Sequence, residues 1–225
     1  GNPNNDLTAD EAAASIVRGM TIETGNAIDE FIVDSLRNNL LGLPLDLAAL
    51  NIARGRDAGV PGLNDTRAQL YASTNSSFLK PYASWVEFAS NLKNPMSVVN
   101  FLAAYGKHPS INEDGTLAQK RDAAMLLVFG GPGAPADRVA FLNGTGAWTP
   151  QATGLNDIDL WIGGLAEKVM PFGGMLGSTF NAIFEAQLEN LQDGDRFYYL
   201  SRTAGLNLLT QLEGNSFSEL IMRNT

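Results

Sequence analysis

The chain has 225 residues, a formal net charge of −9 from 24 acidic and 15 basic side chains, and no cysteine. With 44% hydrophobic and 17% charged residues it has enough apolar material for the core of one domain, and too little charge to be disordered. The acidic balance argues against nucleic acid and anionic membrane surfaces, which need a basic footprint, and the missing thiols exclude disulfides and sulfur-ligated zinc. No uninterrupted apolar run reaches the length of a membrane span.

In chain order, "GNPNNDLTAD" lacks both the basic start and the apolar stretch of a signal peptide, and reads as an internal cut in a longer chain. Thr8 with Glu11 forms a capping-box pattern that predicts a helix over "TADEAAASIVRGM". "NAIDEFIVDSLRNNL" places Ile28, Phe31, Ile32, Leu36 and Leu40 at helical spacing and predicts a second helix. Gly42 and Pro44 then break the chain before a helix over "LDLAALNIARGRD", and Asn64 or Asp65 can cap another through Tyr71.

From Ser73 to Gly115 the chain is loop-rich, with Pro81, Pro95 and Pro109 ahead of short helical pieces such as "ASWVEFASNL" and "MSVVNFLAAY". "TLAQKRDAAMLLVF" reads as an amphipathic helix closed by Gly130 and Gly131, and the stretch up to Gly154 reads mostly as loop. "LNDIDLWIGGLAEKV", "GMLGSTFNAIFEAQLENLQ", "DRFYYLSR", "AGLNLLTQL" and "FSELIMRN" follow as helical segments. No alternating pattern is long enough to build a sheet, and there is no internal repeat or linker. The reading is a mainly α chain, residues 1–225 forming one unit.

Chemistry concentrates in "LPLDLAALNIARGRDAGVPGLNDTRAQLY", which sets Asn51, Arg54, Arg56 and Arg67 among apolar residues, glycines and prolines. On a helix, Leu47, Leu50, Asn51 and Arg54 fall at i, i+3, i+4 and i+7, on one face. An amide and a guanidinium on a leucine stripe are costly to bury without partners. Two readings are open. The polar pair caps neighbouring helices or meets a carboxylate, or the asparagine orients an imidazole while the arginine holds an anionic ligand group.

"LDLAALNIARGRDAGVPGLNDTR" resembles the signature of the animal-type haem peroxidases, the peroxidase–cyclooxygenase superfamily. Further matches follow in the family's order: "DIDLWIGGLAE" (157–167), "FGGMLGSTF" (172–180) and "LQDGDRFYY" (191–199). The longer stretch between Ser73 and Gly154 looks more like the bacterial branch, in which such domains sit in large secreted proteins carrying calcium-binding repeats. Ala58 stands where the family usually has histidine and Leu63 where it usually has tyrosine, which we read as local repacking.

The resemblance implies a largely helical fold with little or no sheet, a haem cofactor, and reduction of hydrogen peroxide with oxidation of a small donor such as a halide, a phenol or a metal ion. It implies that the proximal histidine, the distal histidine and arginine, the acids that ester-link haem and the calcium site lie upstream. The chain then corresponds to the C-terminal part of one peroxidase domain, truncated on its N-terminal side, with the missing half as its partner and no metal ligand of its own. By match, Asn51 is the active-site asparagine that accepts a hydrogen bond from the proximal imidazole. Arg54 pairs with a haem propionate, and Leu47 and Leu50 complete the cofactor contact. The alternative is a non-catalytic helical scaffold or adhesion-associated module of the same fold.

Other signals are weaker. His108, the single histidine, sits in a polar Pro/Gly loop and reads as solvated surface. Gly173, Gly174 and Gly177 read as close packing of helices rather than a phosphate cradle, and "DGD" at Asp193–Asp195 as a helix stop and an N-cap rather than a calcium loop. Met170 and Met175 read as core filler, Trp85, Trp148 and Trp161 as packing anchors, and Asp157 and Asp159 as first-turn acids of a helix. Asn64, Asn75 and Asn143 stand in Asn-x-Ser/Thr patterns, which arise readily by chance.

Overall fold

The structure, a computed structural model, describes residues 7–171, 174–201 and 209–224. The helices are α1 (Ala9–Ile22), α2 (Asp34–Arg37), α3 (Leu47–Asp57), α4 (Leu63–Thr74), α5 (Trp85–Ser90), α6 (Val98–Tyr105), α7 (Leu117–Phe129), α8 (Arg138–Asn143), α9 (Pro150–Thr153), α10 (Leu160–Ala166), α11 (Ser178–Gly194), α12 (Leu209–Glu213) and α13 (Phe217–Asn224). Strand pairing among the described residues is confined to isolated bridges such as Gly62 with Asp159 and Leu92 with Glu167. The mainly α expectation holds. Contacts divide the chain into residues 28–186 and a second unit of residues 1–27 and 187–225.

The larger unit carries the core. Trp85 and Phe88 of α5, Phe101 and Leu102 of α6, Ala124 and Leu127 of α7 and Phe141 of α8 are fully or almost fully buried. Phe88 meets the edges of Tyr82, Trp85 and Phe101, with ring centroids 5.4, 6.1 and 5.0 Å apart. Edge-on pairs of this kind add to the simple burial of area. Leu63, Leu155, Ile158 and Ala166 extend the same cluster to α4 and α10. In the smaller unit no described residue is buried. Its helices rest on local signals: the Thr8–Glu11 capping box of α1, and a reciprocal Ser216–Glu219 pair at the start of α13.

Inside the core sits one buried ion pair. Arg67 of α4 reaches Glu167, just past α10, at 2.7 Å, and both side chains are at most 4% exposed. Each nitrogen of the guanidinium has a partner. Nε donates to the Lys80 carbonyl, Nη2 to the Phe78 carbonyl, and Nη1 to Glu167 and the Ser178 and Thr179 hydroxyls, at 2.7–2.9 Å. The carboxylate also accepts from the Tyr82 hydroxyl and from both the backbone and the hydroxyl of Thr179. Burial, and then the adjacent Glu167 charge, push the Tyr82 hydroxyl well above the usual phenol range, so it stays a donor. Gly177 permits the approach: a Cβ there would lie 2.2 Å from the Glu167 Cβ.

Several expected elements are corrected. The helix expected over "NAIDEFIVDSLRNNL" shrinks to the four residues of α2. Asp29 accepts the Phe31 backbone N–H at 2.9 Å, a local turn that competes with helix formation, and Phe31 and Leu36 are exposed. α4 starts at Leu63 with Gly62 as its N-cap, because the Asn64 amide is needed elsewhere. It bridges both backbone groups of Tyr82 and meets Asn156 at 2.8 Å. Asn64 is therefore buried, which removes it as a glycan acceptor.

α7 is less amphipathic than its sequence suggests, with Leu117, Met125 and Phe129 exposed. The stretch expected to be loop before Gly154 contains α8 and the single turn α9. Gly154 has φ +83°, and a Cβ there would collide with the Tyr105 carbonyl at 1.9 Å. α11 does stop at Gly194, but Asp195 forms a turn to the Phe197 N–H instead of capping a helix. The segment "AGLNLLTQL" lies partly outside the described residues.

The ion pair predicts an asymmetric mutational response. Glu167→Gln should lower the unfolding free energy by about 3–5 kcal/mol, because it leaves a buried guanidinium without its counter-charge. The double replacement Arg67→Met/Glu167→Leu should not recover wild-type stability, because the Phe78 and Lys80 carbonyls lose their donors. Urea denaturation of the three proteins checks both statements.

Candidate functional site

α3 carries the stripe anticipated from the sequence. Asp46 caps it, accepting the Ala49 N–H at 3.0 Å, and the Val60 N–H bonds back to the Gly55 carbonyl past its end. Over this span Leu47, Leu50 and Asn51 are half-buried and Arg54 is exposed. Neither the Asn51 amide nor the Arg54 guanidinium has a hydrogen-bond or ion-pair partner among the described residues. The four residues share one face, and its polar atoms are left open.

The other arginines of the motif are committed. Arg67 is spent in the core. Arg56 leaves α3 on a different side and grips Asp159, Nε to Oδ1 at 2.9 Å and Nη2 to Oδ2 at 2.6 Å. The Tyr105 hydroxyl donates to the same Oδ2 at 2.7 Å. Burial alone would raise the Asp159 carboxyl, but the bonds from Arg56 and Tyr105 outweigh it and hold the group below the usual carboxylate range. Burial, followed by the Asp159 contact, drives the Tyr105 hydroxyl up. This fork ties the last turn of α3 to α6 and to the start of α10, fixing the direction in which the Asn51–Arg54 face looks.

Asp159 is thus the N-cap residue of α10 but bonds side chains instead of the helix start, and Asp157 pairs with Lys107 at 2.5 Å. The expectation of first-turn acids is corrected for Asp159, while Asp157 does stand in the first turn of the short 3-10 helix Leu155–Asp157. His108 is also corrected: it is 5% exposed, packed 5.0 Å from Phe141 and 5.4 Å from Trp148. The Ser110 backbone N–H donates to Nδ1 at 3.1 Å, so the ring proton sits on Nε2 and faces Asp137 at 3.1 Å. That hydrogen bond from His108 is the main cause that lowers the Asp137 carboxyl. Alternation of polar and Pro/Gly residues suggested surface; the aromatic pair that covers the ring comes from 33 and 40 residues further along the chain.

Among the remaining expectations, Trp85 is fully buried while Trp148 and Trp161 are half-buried, and Met175 is 71% exposed and so fills no core. Gly173 lies outside the described residues, whereas Gly177 does serve close packing. No cluster of metal-binding side chains occurs among the described residues, Asp193 and Asp195 included. Sequence reasoning missed the Arg56–Asp159–Tyr105 fork and the Arg67–Glu167 pair. The signal for both was the repeated acid pattern of "DIDLWIGGLAE", whose Asp159 and Glu167 are the two carboxylates involved.

The fork sets a pH dependence. Because the folded pKa of Asp159 is depressed, its contribution is complete above the unfolded carboxylate value and disappears as pH falls through the lower folded value. Arg56 is 63% exposed and well screened, so Arg56→Ala should cost only about 1 kcal/mol. Asp159→Asn strands two donors and should cost roughly 1–3 kcal/mol at neutral pH. Thermal melts across pH should show the Asp159→Asn deficit constant near neutrality and shrinking below about pH 4.

Comparison with known proteins agrees with the motif reading. A sequence profile described as animal haem peroxidase matches residues 2–112 and 153–225, leaving 113–152 between the matched stretches. Peroxinectin A of Dictyostelium discoideum is 28% identical over 215 residues, covering 93% of this chain and 29% of that protein. Human eosinophil peroxidase is 30% identical over 193 residues, 83% of this chain and 19% of its own length, and mouse thyroid peroxidase is 28% identical over 80% and 14%. The solved structure of peroxidase A from Dictyostelium discoideum superposes with a TM-score of 0.51 at 26% identity, covering 95% of this chain and 32% of that one. The chain therefore spans less than a third of each of these relatives. It belongs to the animal haem peroxidase family.

Proposed function

We propose that this chain is the C-terminal part of a haem-dependent peroxidase domain that reduces hydrogen peroxide and oxidises a small donor. The observation that carries the reading is the open polar face of α3. Asn51 offers an acceptor and Arg54 a guanidinium, both without protein partners among the described residues, on a stripe otherwise made of Leu47 and Leu50. This donor set fits haem, which has an apolar plate and anionic propionates, with the iron ligand supplied by residues upstream. When bound, the group supplies the redox chemistry of peroxide reduction.

The chain's own residues bind and orient. The Asn51 carbonyl accepts the N–H of the proximal imidazole, fixing the ring and raising its electron donation. Arg54 holds a propionate by charge-assisted hydrogen bonds, and Leu47 and Leu50 keep water from the plate. The Arg56–Asp159–Tyr105 fork sets the pose of the helix that presents them. We assign the domain to the bacterial branch and to an exported protein. The support is the long stretch 73–154, of which the family profile leaves 113–152 unmatched. Among the described residues no helix is long and apolar enough to cross a membrane.

The test uses the full-length protein loaded with haem. Arg54→Ala should speed haem transfer to apomyoglobin by roughly tenfold to a hundredfold, the worth of a charge-assisted hydrogen bond. Arg54→Lys should recover only part, because an ammonium cannot reproduce the fork. Arg56→Ala should act mainly on the melting temperature and speed haem transfer far less than Arg54→Ala does. Haem retained by Arg54→Ala and lost by Arg56→Ala would move the propionate contact to Arg56.

A further inference from the structure

Behind Ala48 and Ile52 of α3 opens a cleft of about 510 Å³, in the range that holds a small organic ligand. Its lining is largely apolar, with Phe31, Phe101, Tyr105, Leu117 and Ile162 among it. A second cleft of about 380 Å³ adjoins it, and both are bordered by Phe31, Ser97, Asn100 and Arg121. Leu117 and Arg121 lie in the 113–152 stretch outside the family match.

Charge at the cleft is unbalanced at one point. Arg37 is occupied by Asp34 at 2.8 Å. Glu30 accepts from the Ser97 hydroxyl and from the Asn94 amide. Arg121 is exposed and has no hydrogen-bond or ion-pair partner among the described residues, and the amide of Asn100, which borders the same two clefts, has none either. A guanidinium next to an amide is the donor set for a carboxylate. The ring-lined walls suit a flat apolar body, and Glu30 on the same side disfavours a second negative charge on the ligand.

The geometry points to a binding site for an aromatic monocarboxylate, its ring between Phe31 and Phe101 and its carboxylate on Arg121 and Asn100. The site does not depend on the haem-binding reading, since its residues are distinct from Leu47, Leu50, Asn51 and Arg54.

Isothermal titration of the full-length protein with 2-naphthoate and with uncharged 2-naphthalenemethanol tests it. The acid should bind one to one and at least roughly tenfold more tightly than the alcohol, the margin of a charge-assisted bond. Arg121→Gln should reduce the acid to the alcohol's affinity and leave the alcohol unchanged. Ala104→Phe, which fills the cleft from α6, should weaken both. Equal binding of acid and alcohol, or an acid affinity untouched by Arg121→Gln or by Ala104→Phe, would overturn the assignment.

Discussion

The constraint on which the rest of the larger unit depends is the burial of Arg67 against Glu167. A guanidinium removed from water is tolerable only if every donor finds a partner. Meeting that demand draws together the Phe78–Lys80 turn, the residue after α10 and the first turn of α11. Helices as short as α5 and α10 have little stability of their own. Their positions are set by this polar knot and by the aromatic cluster around Phe88. The Lys93 N–H to Ala166 carbonyl and Lys168 N–H to Asn91 carbonyl bonds hold Glu167 in place from the backbone side.

From that fixed frame the three arginines of one motif take three different tasks. Arg67 closes the core, Arg56 fastens α3 to α6 and α10, and Arg54 has no partner among the described residues. Helical phase separates the last two: they are two residues apart and so point to different sides. Asn51 follows Arg54 by phase, which is why an amide and a cation stand together on an apolar stripe.

Much of this was legible in the sequence. The capping box of α1, the α3 stripe and the stop at Gly194 rest on local rules, and local rules survive folding. The helix expected around Phe31 failed because apolar spacing says nothing about an Asp29 side chain that captures a backbone N–H. His108 was misjudged because its cover, Phe141 and Trp148, arrives from a distant part of the chain. For the site, residue types and phase gave the face, and resemblance to a family gave the ligand. The carboxylates that orient the face are pairings about a hundred residues long, and no periodicity announces them.

The central claim is that the open amide of Asn51 serves the imidazole that ligates haem iron. Its most direct test is the Fe(III)/Fe(II) reduction potential of the full-length protein as wild type, Asn51→Ala and Asn51→Asp. Losing the acceptor makes the imidazole a poorer donor, so the potential should rise in Asn51→Ala. An anionic acceptor strengthens the same bond, so Asn51→Asp should bring the potential to or below the wild-type value. Identical potentials in all three proteins, with haem still bound, would contradict the account and leave Asn51 as a polar residue at a helix contact.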